Sequence, residues 1–108
     1  MEEKEKLEGY ELWTTIGNSG LESQTNIILE EYQSRNNIIN LITNLLLENE
    51  LNGVIIDFKG INNSENFERF IIELTPRLRE MGISVGIHFN DENINKDKIK
   101  TIVDYIVQ

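Results

Sequence analysis

A carboxylate and an amine stand two residues apart at the end of an apolar run, in the segment LNGVIIDFKG. Side chains two residues apart on a strand share a face, so Asp57 and Lys59 are predicted to point one way and Ile56 and Phe58 the other. A carboxylate at a strand end can orient a substrate or transfer a proton. The simpler interpretation is a salt bridge between Asp57 and Lys59, and the alternative is a pair that contacts a ligand.

Two further side chains are candidates for ligand contacts. His88, the single histidine, falls on the polar face of a predicted strand. It has no Cys, His or obvious carboxylate partner at metal-ligand spacing, so neither metal binding nor acid–base chemistry is expected of it. Trp13, near a strand end, could stack on a sugar ring, although core packing is the simpler interpretation. Cysteine is absent, and no Ser-His-Asp set can be assembled. We therefore predict no metal site and no cofactor.

Composition excludes two classes of partner. The chain carries 19 Asp and Glu against 10 Lys and Arg, a formal net charge of −9. Nucleic acids and anionic membrane surfaces are bound by clustered basic side chains, so neither is an expected partner. With 108 residues and 39% hydrophobic content, the chain is expected to form a single domain over 1–108, with 1–8 as a flexible tail.

The sequence carries no recognisable targeting signal. The first ten residues, MEEKEKLEGY, are charged and are not followed by the apolar stretch of a signal peptide. No apolar run approaches the length of a membrane span. The chain as given is thus expected to be cytoplasmic, or to belong to the cell envelope or the extracellular space if it is cut from a longer protein.

Hydrophobic periodicity predicts strands alternating with helices. The predicted strands are 10–17, 54–58, 83–89 and a last one within 103–108. The predicted helices are 21–33, 34–50, 65–81 and one that precedes the last strand. Asn63 or Ser64 should cap the third helix and Gly82 should end it, with a kink or a late break near Leu74 because Pro76 lies inside it.

This order of elements predicts the α/β class. Consecutive strands joined through helices are parallel and connected by right-handed crossovers. The VIIDF strand is apolar on both faces, which is the pattern expected when helices cover a parallel sheet.

The segment from LNGVIIDFKGI to ISVGIHF resembles the fourth strand, the following helix and the fifth strand of the glycoside hydrolase family 18 barrel. This is the chitinase-like family, and the likeness is strongest to its bacterial cell-wall and spore-associated branch. The family writes the strand as D-G-x-D-x-D-x-E. The motif positions fall here on Asn52, Gly53, Ile55, Asp57 and Lys59. The resemblance implies about half of a TIM (β/α)8 barrel, strands three to six, either as an open sheet or completed by a partner.

The same resemblance implies lost catalysis. Family members work by substrate assistance: a glutamic acid protonates the leaving oxygen, and the middle aspartate orients the acetamide that attacks. Asp57 falls on the aspartate, but Lys59 falls on the acid, and a lysine ammonium is a poor proton donor near neutral pH. The expected protein is inactive and has a structural role or binds glycans containing N-acetylglucosamine through Asp57, Lys59, Trp13 and His88. A homodimer through the exposed sheet edges is also expected.

A second hypothesis is a small regulatory module of the anti-sigma-factor-antagonist type. Proteins of that type carry a phosphorylated serine in the loop that follows a VIIDF-like strand, and Ser64 stands near that place. The Asp-Ser-Ser/Thr-Gly loop of that family is missing, so this interpretation ranks second.

Overall fold

The computed structural model describes residues 11–91 and 93–107, so the predicted tail at 1–8 lies outside the described residues. The strands are β1 (Trp13–Gly17), β2 (Gly53–Asp57), β3 (Ser84–His88) and β4 (Tyr105–Val107). The helices are α1 (Glu22–Glu30), α2 (Tyr32–Glu48), α3 (Ser64–Glu80) and α4 (Lys96–Lys100). The predicted elements and their order are confirmed, and the first and third strands are shorter than predicted.

The four strands form one parallel sheet in the order β1-β2-β3-β4. Each connection runs to the adjacent strand in the same direction around the sheet. Right-handed crossovers of this kind all place their helices on the same face, as in a TIM barrel. The α/β class with alternating parallel strands and helices is therefore observed, as an open sheet of four strands.

One face of the sheet forms the core. Val54, Ile56, Val85 and Ile87 are at most 1% exposed, because they point toward the helices. On the opposite face Ile55, Asp57 and His88 are only half-buried. The expectation that helices cover this sheet because VIIDF is apolar on both faces therefore holds for one face only, since the consecutive strand order leaves the other without a helix.

α3 is the main helix of the core and supplies much of its apolar volume. Phe67 and Phe70 are buried and pack around Phe58, with ring centroids 6.2 and 5.6 Å from it. The Asn63 side chain caps the helix by accepting the Asn66 backbone N–H at 3.1 Å, and Gly82, at φ 76°, follows its last turn.

The predicted late break in α3 is wrong, because the helix continues through Pro76 to Glu80. Proline removes one backbone donor, but the buried Leu74 and Leu78 on either side keep the helix packed on the sheet. None of the described helices is long and apolar enough to cross a bilayer.

Trp13 lies across the open face of the sheet, over a glycine of the neighbouring strand. A Cβ added to Gly53 would come within 2.3 Å of the Trp13 ring, whereas one added to Gly86 would be 3.6 Å from it. Tyr105 meets the same indole edge-on, with ring centroids 5.4 Å apart. Close approach of the indole to the backbone is therefore what requires glycine at position 53.

We expect Gly53→Ala to push the indole off the sheet and to lower the free energy of unfolding by about 1–3 kcal/mol, because the added methyl overlaps the ring. Urea unfolding measures the stability, and Trp13, the single tryptophan, reports its own displacement by a red shift in fluorescence. Gly86→Ala is the matched control and should change both quantities little. If Gly53→Ala left stability and emission unchanged, the packing of Trp13 described above would be wrong.

Candidate functional site

A carboxylate and an imidazole meet where β2 and β3 end. Asp57 is the last residue of β2 and His88 the last of β3. The two strands are parallel and pair Ile56 with Ile87, so the next residue of each lies at the same edge. Nδ1 of His88 is 3.1 Å from Oδ1 of Asp57. Sequence spacing offered His88 no carboxylate partner, and the fold supplies one from the neighbouring strand.

Asn90 is a third member of this cluster, and the sequence interpretation missed it. Its Nδ2 donates to Oδ1 of Asp57 at 2.5 Å and to the carbonyl oxygen of Phe58 at 3.2 Å. The sequence did hold a signal for Asn90: it lies two residues beyond His88, and in an extended chain side chains two residues apart point to the same side.

These contacts keep Asp57 ionised. Hydrogen bonds from Asn90 and then from His88 lower the pKa of Asp57 below 3.8, the value for a free aspartate, while partial burial opposes them and the charges of His88 and Lys59 add to the lowering. An ionised carboxylate only accepts hydrogen bonds. We infer that Nδ1 of His88 carries the hydrogen of this pair and that Nε2 remains for another partner.

Lys59 does not form the predicted salt bridge. β2 ends at Asp57, so Lys59 belongs to the loop that follows, and the two side chains do not come within 4.0 Å as an ion pair. Asp57 instead pairs with His88. The charge of Lys59 still acts on Asp57 at longer range, as the smallest of the causes that lower its pKa.

The backbone of Lys59 is clamped by one buried side chain. Asn18 is 5% exposed; its Oδ1 accepts the Lys59 N–H at 2.8 Å and its Nδ2 donates to the Lys59 carbonyl oxygen at 3.0 Å. The same Nδ2 also donates to Oγ1 of Thr25. The residue itself is exposed, so a held backbone presents a side chain to solvent.

Side chains from helix α1 and from the loop that follows β3 hold the rest of the β2–α3 loop in the same way. Asn26 and Asn93 donate at 2.8 Å to the carbonyl oxygens of Gly60 and Ile61, respectively. Asp91 accepts the N–H of Ile61 at 3.2 Å. The loop therefore has a fixed conformation before any ligand binds.

Trp13 is not part of this cluster. The register pairs Trp13 with Gly53 and Gly17 with Asp57, so the indole lies four residues, or roughly 13 Å, from the carboxylate along the strands. The motif positions Asn52 and Gly53 also lie at this opposite end, where Asn52 accepts the Leu12 N–H at 2.8 Å. Ile55 lies between the two ends. Of the predicted ligand contacts, the structure brings together Asp57, His88 and the backbone of Lys59.

Metal binding finds no support in this geometry. Within 11–91 and 93–107, no group of three or more His, Cys, Asp or Glu side chains could hold a metal ion. What the cluster offers chemically is a fixed carboxylate, an oriented imidazole and a nearby amine, which suit hydrogen bonding to a polar ligand.

Comparisons with known proteins identify the fold. No protein-family model matches the chain, and no curated protein sequence matches it. Among solved structures, a protein described as the sporulation-specific glycosylase YdhD of Bacillus subtilis is similar with a TM-score of 0.84 and 24% identity, over 96% of this chain and 39% of its own.

Two other solved structures give the same result. The Group IV chitinase of Ostrinia furnacalis matches with a TM-score of 0.82 and 20% identity, over 95% of this chain and 32% of that one. The spore cortex-lytic enzyme SleL of Bacillus cereus matches at 0.76 and 19%, over 90% and 25%. The chain thus has the fold of part of a TIM barrel and spans between a quarter and two fifths of these neighbours' length.

We expect Asn90→Ala and His88→Gln each to raise the pKa of Asp57 more than Lys59→Gln does, because Asn90 and His88 donate hydrogen bonds to the carboxylate and Lys59 acts on it only by its charge. Carboxyl NMR titration measures the shift. Asn93→Ala is the matched control, since Asn93 bonds to Ile61 and not to Asp57. An unchanged Asp57 titration in Asn90→Ala would contradict the assigned contact.

The same shift gives a pH dependence of stability. A carboxyl whose pKa is lowered on folding stabilises the native state above its unfolded pKa of 3.8, and this contribution is lost as the pH falls through the folded value. The stability difference between wild type and Asp57→Asn should therefore shrink below about pH 4, which urea unfolding across pH can follow.

Proposed function

We propose that this chain is a glycoside hydrolase family 18-like module that binds glycans containing N-acetylglucosamine and does not hydrolyse them. One observation carries the proposal: an ionised aspartate is fixed at the carboxyl edge of a barrel-type sheet, and an amine follows it where the resemblance implies the catalytic acid. In TIM barrels this edge carries the functional residues.

Binding is supported by the orientation of Asp57. Its hydrogen bonds to Asn90 and His88 both use Oδ1. Within the described residues Oδ2 has no such partner, so it can accept a hydrogen bond from a ligand. The N–H of a 2-acetamido sugar is a donor of the required kind, and the resemblance implies that role for Asp57.

Loss of hydrolysis follows from the proton balance. Glycoside cleavage by this route needs a carboxylic acid that gives a proton to the leaving oxygen. The pKa of Asp57 is lowered, so Asp57 is unprotonated near neutral pH. Lys59 places a positive charge where the acid is expected and disfavours the oxocarbenium-like centre of the transition state.

We expect N,N′-diacetylchitobiose to shift the backbone NMR signals of the Asp57, Lys59 and His88 region, because Oδ2 of Asp57 accepts the acetamido N–H. Asp57→Asn should weaken binding by roughly tenfold, as loss of a hydrogen bond to a charged group does. Asp97→Asn, on the exposed side of α4, is the matched control. Absence of shifts in the wild-type protein would remove the binding proposal.

Turnover is tested with the same proteins. We expect no release of a chromophore from an aryl N-acetylglucosaminide, since the proton donor is missing. Release that disappears in Asp57→Asn would show that the module is active. Lys59→Glu alone is not expected to restore turnover, because the described strands supply only part of a barrel.

The regulatory alternative finds no support at Ser64. Its Oγ donates to Oε2 of Glu68 at 3.0 Å and accepts the Asn95 N–H at 2.9 Å, and Glu68 is 5% exposed. A phosphate on Ser64 would place about two negative charges beside a buried carboxylate. The hydroxyl instead ties the start of α3 to the loop before α4.

We further propose that the protein forms a homodimer through the β1 edge of the sheet. Among residues 11–91 and 93–107, β1 has a strand partner on one side only. An apolar cavity of about 160 Å³ lies between its end and the helices, lined in part by Ile16, Ile28 and Ile38. On α2, which lines the cavity through Ile38 and Ile42, Leu41 is 63% and Leu45 45% exposed. Unpaired parallel edges and exposed apolar surface of this kind favour association.

We expect Leu45→Lys to convert a dimer to a monomer, because a charge would be buried in the apolar contact. Sedimentation or native mass spectrometry measures the oligomer. Ile72→Lys is the matched control: Ile72 is 46% exposed but lies on α3, whereas Leu45 shares α2 with Ile38 and Ile42 of the cavity lining. Higher salt should strengthen the dimer by screening the repulsion of two chains of charge −9. A wild-type monomer at high concentration and salt would contradict the proposal.

A further inference from the structure

We propose that the cavity formed by the described residues at the end of β1 binds a compact apolar ligand, namely a single aromatic ring or a branched hydrocarbon of similar size. This site is separate from the Asp57 cluster, and the inference goes beyond the proposed glycan binding. Phe58 lines the cavity and follows Asp57 directly, but neighbouring side chains of an extended chain point to opposite sides. Phe58 is buried among the helices, whereas Asp57 is half-buried on the open face.

The walls of the cavity come from three elements that enclose it. Ile16 belongs to β1, Ile28 to α1 and Ile38 to α2, and all three residues are half-buried. Leu29 and Phe58 also line the cavity and are 1% and 7% exposed. A ligand in this place would therefore contact aliphatic and aromatic carbon from several directions, which is the setting in which burial of an apolar group is favourable.

Two buried polar residues of the lining already use their hydrogen bonds within the protein. Nδ2 of Asn18 donates to Oγ1 of Thr25 and to the carbonyl oxygen of Lys59, both at 3.0 Å. The Thr25 hydroxyl donates to the carbonyl oxygen of Leu21 at 2.8 Å. A polar ligand group placed against these two side chains would lose its contact with water and find no free donor there. The chemistry of the lining therefore selects an apolar ligand.

The size of the cavity limits the ligand to about one ring. Protein interiors are close-packed and contain few voids larger than a water molecule, so a cavity of about 160 Å³ is unusual in a chain of 108 residues. An apolar cavity of about 150 Å³ lined by Leu, Ile and Phe stays dry and binds benzene. Leu21 and Gln24 also belong to the lining and are exposed, so a ligand can enter from solvent without unfolding of the core.

The proposed homodimer and the ligand would use different side chains of α2. Ile38 and Ile42 line the cavity, whereas Leu41 and Leu45 are the exposed apolar residues of the same helix. Leu45→Lys retains every isoleucine of the lining. This variant therefore separates a small ligand in the cavity from an apolar side chain inserted by a second copy of the chain.

The experiment titrates protein carrying ¹³C-labelled isoleucine methyl groups with benzene and follows the methyl NMR signals. The signals of Ile16, Ile28, Ile38 and Ile42, which line the cavity, should shift to saturation with a Kd on the order of 1 mM. The signal of Ile99, which is buried on α4, should remain unchanged. The same titration of Leu45→Lys should give the same affinity.

Substitutions at Ile28 change the cavity in opposite directions. Ile28→Phe should weaken benzene binding by roughly tenfold, because the added ring occupies ligand volume. Ile27→Phe is the matched control on the same helix: Ile27 is 64% exposed, so the variant should bind benzene as the wild-type protein does. Ile28→Ala enlarges the cavity and should bind the larger p-xylene more tightly than the wild-type protein does.

Each outcome supports or overturns the site. Shifts that do not saturate and spread over all isoleucine methyl groups, or an unchanged affinity in Ile28→Phe, would overturn it. Loss of benzene binding in Leu45→Lys would assign the cavity to the contact between two copies and would also overturn it. Methyl spectra that retain their dispersion establish that each variant is folded. Glycan binding is measured at Asp57 and His88, so its failure would leave this inference in place.

Discussion

Parallel pairing of β2 with β3 in one register is the constraint on which the site depends. It brings the last residues of the two strands, Asp57 and His88, to the same edge, and Asn90 then reaches Asp57 from just beyond that edge. The consecutive strand order has a second effect, because it places the helices on one face. The other face is left to polar and half-buried side chains. The buried core on one face and the exposed Asp57, His88 and Asn90 cluster therefore both follow from the parallel, consecutive strand order.

Much of the fold could be predicted because the spacing of apolar residues and the positions of turn-forming and helix-ending residues agree along the chain. Alternating apolar residues predicted β3, helical spacing predicted α2 and α3, and Gly82 marked the end of α3 correctly. The break near Pro76 was wrong because tertiary packing of Leu74 and Leu78 outweighs one lost backbone hydrogen bond. Helices were expected to cover the sheet because both faces of β2 are apolar. They cover only one face, because that depends on the order of the strands, which the apolar pattern of one strand does not reveal.

The site was less predictable than the fold, since its contacts join residues far apart in the sequence. Asp57 was identified from the motif resemblance, but its partners, His88 and Asn90, lie 31 and 33 residues away. Lys59 was predicted to pair with Asp57 on the assumption that both residues belong to one strand. β2 ends at Asp57, and the backbone of Lys59 is instead hydrogen-bonded to Asn18. Trp13 is at the opposite end of the strands from Asp57, a separation that only the register of β1 and β2 makes visible.

The side chains that hydrogen-bond to the backbone of the β2–α3 loop also affect how fast a ligand could bind. A loop whose backbone groups are already held by Asn18, Asn26 and Asp91 needs little backbone rearrangement when a ligand binds. Encounter and recognition would then be a single step, limited by diffusion and orientation and not by a conformational change. Weak ligands would leave such a rigid surface as readily as they arrive, so residence times would be short unless several sugar units were held at once.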